Sequence, residues 1–456
     1  MRHLSVSWLV GPTLLISGLV AGACGSTDDP SPDDSGTAGS SANNGGALAT
    51  GGLPATAGTP GTGGVPSSSG GPAVGAGNST GGAGQAGAIN TNTAGATSGG
   101  SGNGSGGKNA GGSGGTANTA GTGNTAGSSG SAPTGADQCK PIGWATRSGR
   151  TGGAASVTGG GNATPNVVTS YADLAKFASD GQARVIHIDG TLGSGWSGNS
   201  GDRLEIKSNK TIIGLRAQTQ LKAAIHINAA SNVILRNIVI RGPGSNEDQA
   251  WDNINIEGAS KNIWIDHAEF WDGQDGNADV VKGADNVTFT WSIFGYTKNG
   301  GHNLSNLIAS SDSEPESEGK LDVTFMFNWW KAASQRQPRC RYGQIHVVNN
   351  LFTGDDAVGA SVLGVTNGFS CNILTENNHF IKQGQPIDLG KQTGAGSVQE
   401  AVGNVFESCT GNQKGSGTAF KPPYEYKSFM KPASEVKALV QKYAGATLAS
   451  PAACAP

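Results

Sequence analysis

A chain of 456 residues with 30 Lys and Arg against 33 Asp and Glu carries a formal net charge of -3, and only 14% of its residues are charged. That balance excludes the broad basic surface that nucleic acid requires as a partner. The six cysteines include no C-x-x-C pair and no Cys/His spacing of the zinc-binding kind, so no zinc site is expected.

Residues 1–23 combine an early arginine with the apolar run "SWLVGPTLLISGLVAGA" and read as a signal peptide rather than a membrane span. The small residues immediately before Cys24 resemble a bacterial lipobox. Cys24 is therefore expected to be acylated, and the protein to be exported, either secreted or held at a bacterial cell surface, with membrane contact confined to that anchor. Residues 24–136 are almost entirely Gly, Ser, Thr, Ala and Asn. They hold too few large apolar side chains to repay the entropy of ordering and predict a flexible tether. A coil of that length spans about 55 to 65 Å.

Residues 137–456 have a globular composition and form the folded domain, expected to be monomeric. Its cysteines stand at 139, 340, 371, 409 and 454, an odd number for an exported chain. Two disulfides and one free thiol is the simplest reading, with the pairing left open. "SYADLAKFASDG" from Ser170 has an N-cap serine and helical apolar spacing, as a cap on an open end requires. A nine-residue pattern then recurs: "NVILRNIVI", "NIWIDHAEF", "NVTFTWSIF", "DVTFMFNWW", "QIHVVNNLF" and "NILTENNHF". Each copy alternates β-branched residues and closes on Ile240, Phe270, Phe294, Trp330, Phe352 or Phe380.

Alternation marks strands, and a repeat that cannot bury its apolar face alone must stack on its neighbours. The pattern predicts an all-β fold, a right-handed single-stranded parallel β-helix with short capping helices, in preference to a β-sandwich. Asn328, Asn350 and Asn378 are expected to stack as an internal amide ladder. Trp330 belongs in the core, whereas Trp264 and Trp291 alternate with core positions and are candidates to face outward. A second short helix is expected from Ser434.

Asp252 precedes one repeat, and Asp275 and Asp279 precede the next, so about one turn of coil separates them. Carboxylates stacked at the strand spacing of roughly 4.8 Å repel one another unless protonated or neutralised by a cation. Hard oxygen donors of this kind suit Ca²⁺, although turn aspartates in water are equally compatible with the spacing. The acidic run "SSDSEPESEGK" from Ser310 lacks regular spacing and reads as a solvated loop. His267 and His346 lie inside strand repeats and read as packed residues. Arg236 and Arg241 have no basic neighbours and read as structural.

The stretch "QRQPRCRYG" concentrates Arg336, Arg339 and Arg341 in a chain poor in charge. Together, "WIDHAEFWDG", "DGNADVVKGADNVTFTW" and "RQPRCRYGQIHVVNN" resemble blocks of the extracellular pectate lyases, in the superfamily that also contains the pectin lyases. The resemblance runs from about Gly143 to about Phe406. It implies Ca²⁺-dependent β-elimination of de-esterified polygalacturonate to unsaturated oligogalacturonides. It also implies Asp252, Asp275 and Asp279 as metal ligands, Arg336 as the base, and Arg341 as a contact for a substrate carboxylate, with Arg339 as a further substrate contact. Arginine is an unusual base because its ordinary pKa lies above 12, so activity is expected to rise toward alkaline pH. The family's lysine before an L-I-G segment has no clean counterpart: extra residues separate Lys298 from Leu307. Lys298 and His302 are both candidates for that substrate contact. Cys340, inside the arginine motif, is expected to be buried and inert.

Three alternatives differ in chemistry. A pectin lyase acts on methylated substrate without Ca²⁺, yet here all three acidic positions are filled. A galacturonan hydrolase needs paired carboxylates as acid and base, for which Asp355 and Asp356 are the conspicuous adjacent pair. A noncatalytic surface protein would bind polyuronate without turnover.

Overall fold

A computed structural model describes residues 140–196, 203–245, 251–354 and 361–450, the side chains of Ser361 and Val362 excepted. The expected signal peptide at 1–23, the candidate lipidation site Cys24, the expected tether at 24–136, Cys139, Cys454 and the pair Asp355 and Asp356 lie outside the described residues.

The strands assort into three parallel sheets of ten, eight and nine strands, each ordered by successive turns of the chain. This is the right-handed parallel β-helix that the repeat predicts. The alternation of side chains decides which residues enter the coil. In the eight-stranded sheet, Leu204, Ile225, Ile254 and Ala278 are register-matched and buried. Glu205, His226, Asn255 and Asp279 occupy the next position in each strand and so line the outer face.

The residues that close the repeats stack along the nine-stranded sheet. Phe270 lies on Phe294 with ring centroids 5.6 Å apart, Trp330 on Phe352 at 4.7 Å, and Phe352 on Phe380 at 4.3 Å. Burying each such side chain contributes about 1.5 to 3 kcal/mol, so the column is a principal source of cohesion. The amide ladder also forms. Asn328 Nδ2 donates to Asn350 Oδ1 at 3.1 Å, Asn350 Nδ2 to Asn378 Oδ1 at 3.0 Å, and Asn378 Nδ2 to Asn404 Oδ1 at 3.0 Å.

Asn350 also donates to the backbone carbonyls of Phe325 and Val348, and accepts from the backbone N–H of Asn328. Asn350→Ala leaves those buried groups unpaired and is expected to destabilise the domain by about 3 kcal/mol. Asn404→Ala, at the half-buried end of the ladder, is expected to cost less. Denaturant unfolding of the two variants checks the ranking.

Both capping helices form. Tyr171–Ser179 is capped by Ser170, whose hydroxyl accepts from the backbone N–H of Asp173, and it buries Leu174 and Ala178 against the coil. Ala433–Tyr443 buries Val436 and Val440 in a cluster with Trp291, Val348 and Leu351. Terminal segments thereby cover both outward tryptophans. Trp264 packs under Ala145 and Val157, Trp291 under the C-terminal helix, and both are buried, as is Trp330 in the core. His267 and His346 are buried on Asp266 and Glu376, and Arg236 pairs with Asp266. These are the structural roles that their positions in the sequence suggest.

Cys340 and Cys371 form a disulfide, and Cys409 is a free thiol. Cys340 is therefore buried and crosslinked rather than a lone inert thiol. The bond joins the strand of the arginine motif to the following turn of the coil.

Candidate active site

The outer face of the eight-stranded sheet holds the residues singled out by the sequence. Asp252 enters the strand Ile254–Glu257, and Asp275 and Asp279 belong to the next turn, where Asn255 stands opposite Asp279. All three aspartates are buried. Burial, and then the charges of Asp279 and Asp275, push the Asp252 carboxyl well above the usual carboxylate range. Asp252 Oδ1 has no hydrogen-bond partner among the described residues.

Gly276 sits between two of these carboxylates. A Cβ at that position would lie 2.5 Å from Asp252 Oδ1 and 3.3 Å from Asp279 Oδ1. Any side chain there would fill the space that the two oxygens share. Among the described residues no three acidic, imidazole or thiol groups are already gathered at coordinating distance. Still, a buried orphan carboxylate oxygen, two acidic neighbours and a glycine that keeps the space open are an all-oxygen donor set fit for Ca²⁺.

The arginine motif enters from three turns beyond Asp252. Its backbone is zipped to the turn before it: the N–H of Ser305 donates to the carbonyl of Gln335, and that of Asn306 to the carbonyl of Arg336. Arg336 adopts φ +57°, a left-handed conformation that non-glycine residues favour only where the surroundings impose it. A cis peptide joins Gln337 to Pro338. The Arg336 side chain is 2% exposed, and its Nη1 donates to Asp275 Oδ1 at 3.5 Å.

Asp275 therefore links the acidic group to Arg336. Its Oδ1 also contacts His302 Nε2 at 3.0 Å. Of the two residues left open for the extra loop, His302 reaches the carboxylates. Lys298 lies exposed, and its carbonyl accepts from Asn303 Nδ2. The loop is anchored by Tyr296, whose hydroxyl donates to the carbonyl of Leu304. Burial, and then the charges of Asp252 and Asp275, push the Tyr296 phenol well above its ordinary range, so it remains a neutral donor.

Arg339 is half-buried, paired in register with Leu307 and Thr366, and Cys340 beside it points into the core. Arg341 Nε donates to Asp312 Oδ1 at 2.6 Å and Nη1 to the carbonyl of Ala309 at 2.8 Å. Asp312 comes from the acidic run, which is not wholly solvated. Glu314 is buried and accepts from the backbone N–H groups of Lys282 and Ser310 and from the hydroxyls of Ser310 and Ser317. One carboxylate thus ties the loop together by satisfying several local donors, which explains its burial.

Sequence reasoning missed Asn255, Gly276, Tyr296 and Asp312. Asn255 was within reach, because it alternates outward from Ile254 and Ile256. The other three depend on where loops from different turns meet.

The pectate lyase family model matches residues 116–449. Pectate lyase D of Dickeya chrysanthemi is 30% identical over 342 residues, which cover 64% of this chain and 85% of that protein. The pectate trisaccharide-lyase of Bacillus licheniformis is 31% identical over 271 residues, covering 57% and 73% respectively. Among solved structures, a pectate lyase from Bacillus sp. N165 in complex with trigalacturonate aligns with a TM-score of 0.55 at 23% identity. That alignment covers 67% of this chain and 98% of the solved one. At that identity the likeness establishes the fold.

Proposed function

This chain belongs to the pectate lyase family, and from that premise we propose that it cleaves de-esterified polygalacturonate by β-elimination at the site built on Asp252, Asp275, Asp279 and Arg336. The observation that carries this reading is the junction at Asp275, where a buried guanidinium meets a buried acidic group on the outer face of the coil. A polyanionic substrate needs fixed positive charge beside it, and an acidic pocket suits such a substrate only through a shared cation.

Bound there by Asp252, Asp275 and Asp279, Ca²⁺ would supply positive charge to the uronate carboxylate and so acidify the adjacent C5–H bond. Arg336 removes the C5 proton. The C5–H electron pair forms the C4=C5 double bond, the C4–O bond breaks, and the departing glycosidic oxygen takes up a proton. Arg341 and Arg339 hold the carboxylate and favour the charge that builds on it in the transition state. His302, rather than Lys298, is the loop residue assigned to the substrate side of the carboxylates. Export on a signal peptide with a lipid at Cys24 would place this activity outside the cytoplasm, where the polymer is found.

Elimination leaves a double bond conjugated to the carboxylate, so ultraviolet absorbance tests the reading. Polygalacturonate with Ca²⁺ at alkaline pH is expected to gain absorbance, and a chelator to abolish the gain. Chain shortening without absorbance would point to hydrolysis. Chelator-resistant activity on methylated pectin would point to a pectin lyase, and binding without either change to a noncatalytic role.

A further inference from the structure

The first strand of the eight-stranded sheet, Arg203–Glu205, lies at the sheet's N-terminal edge, two strand steps from Ile254–Glu257. Arg203 shares the outward parity of Glu205 and stands opposite Ala224, which projects no bulk over it. Its guanidinium carbon is 3.9 Å from the ring centroid of Trp251, the residue immediately before Asp252. Trp251 is itself fixed by its carbonyl, which accepts from the backbone N–H of Asp275 at 3.1 Å. Both side chains are half-buried, and Arg203 Nε has no hydrogen-bond partner among the described residues.

We propose that Arg203 and Trp251 form a distal subsite for one more uronate residue of the same polysaccharide chain, which extends along the outer face of this sheet beyond the carboxylates. This rests on the function proposed above and adds a determinant of substrate length to it. A guanidinium held over an indole is restrained by it, and its Nη groups can donate to a carboxylate, while the buried Nε carries no competing partner among the described residues. The indole adds an apolar surface of the kind sugar rings pack against. The nearby acids do not oppose a uronate at full charge, because Glu205 and Glu257 are both in contact with His226, and Glu257 is also paired with Lys282. The Arg203 strand stands two steps, roughly 10 Å, from the strand that Asp252 enters, and Trp251, next to Asp252, spans the interval, so the subsite adjoins the rings that meet Asp252 and Arg336.

The test compares the full-length wild type with Arg203→Ala, Arg203→Lys and Trp251→Phe on trigalacturonate and on polygalacturonate, by the absorbance of unsaturated product. With Arg203→Ala, kcat/KM on the polymer is expected to fall about tenfold through KM, and severalfold less on the trimer. Arg203→Lys and Trp251→Phe are expected to fall between. Calorimetric binding of the polymer in an Arg336→Ala background should weaken in parallel on adding Arg203→Ala. Equal losses on both substrates, with a lowered Tm, would make the stack a brace for the Asp252 loop and overturn the subsite. Unchanged kinetics on the polymer would overturn it too. If the wild type yields no unsaturated product from either substrate, the proposed function falls and the subsite falls with it.

Discussion

Replacing Arg336 with alanine is expected to lower kcat on polygalacturonate by about a thousandfold, in the range that removal of a proton-transfer group usually costs. The side chain is almost wholly buried and leans on Asp275, so its loss also leaves that carboxylate with one cation fewer. Part of the effect could therefore be one of position, and Arg336→Lys separates the two. Lysine keeps a charge near Asp275 but lacks the planar fork and does not place a nitrogen where the guanidinium stood. It is expected to restore stability without restoring kcat. Substrate binding, measured by calorimetry, should weaken far less than turnover, because Arg341 and Arg339 remain. Activity of the wild type should also climb from about pH 7 toward pH 10, since a guanidine base is rarely neutral below its ordinary pKa. A flat profile, or a kcat for Arg336→Ala within tenfold of the wild type, would place the base elsewhere.

The second large effect concerns the carboxylates. Asp252→Asn and Gly276→Ala are each expected to lower Ca²⁺ affinity by at least about a hundredfold, the first by removing a charged ligand and the second by filling the space beside it. Calorimetry reads this directly. A second readout is thermal: Ca²⁺ at a hundred times Kd is expected to add about 2.7 kcal/mol to the wild type, and the variants almost none of it.

Without Ca²⁺ the sign reverses for Asp252→Asn. The folded protein holds this carboxyl above its ordinary range, so ionising it costs stability, and the cost grows as pH rises past the pKa of the unfolded chain. Asparagine carries no such cost. In chelator the variant should match or exceed the wild type in stability at neutral pH, and the advantage should vanish below the ordinary carboxylate range. A large loss of stability in chelator would mean that Asp252 is a structural residue and not a metal ligand.

Much of this fold is legible in the sequence. Phe270, Phe294, Trp330, Phe352 and Phe380 occupy the same place in each repeat, so their stacking follows from periodicity. The ladder of Asn328, Asn350 and Asn378 follows for the same reason. Trp264 and Trp291 show the limit of that logic. Trp264 alternates outward from Ile263 and Ile265, whereas Trp291 leaves the coil at a left-handed residue (φ +49°) just past its strand; both are buried because chain segments from the two ends of the domain lie over them. Glu314 shows it again: in an acidic run without regular spacing, nothing local reveals that four donors converge on one carboxylate.

The sequence by itself determined the coil, its core columns and the order in which acidic and arginine segments arrive along it, because these depend on alternation within a strand and on stacking of like on like. Only the tertiary structure decided which side chains meet across turns. Gly276 between Asp252 and Asp279, His302 rather than Lys298 on Asp275, Cys340 bonded to Cys371, and Arg203 on Trp251 all depend on loops between strands. Those loops vary in length from turn to turn, and their paths are set by backbone hydrogen bonds to neighbouring turns, which no periodicity within one repeat encodes.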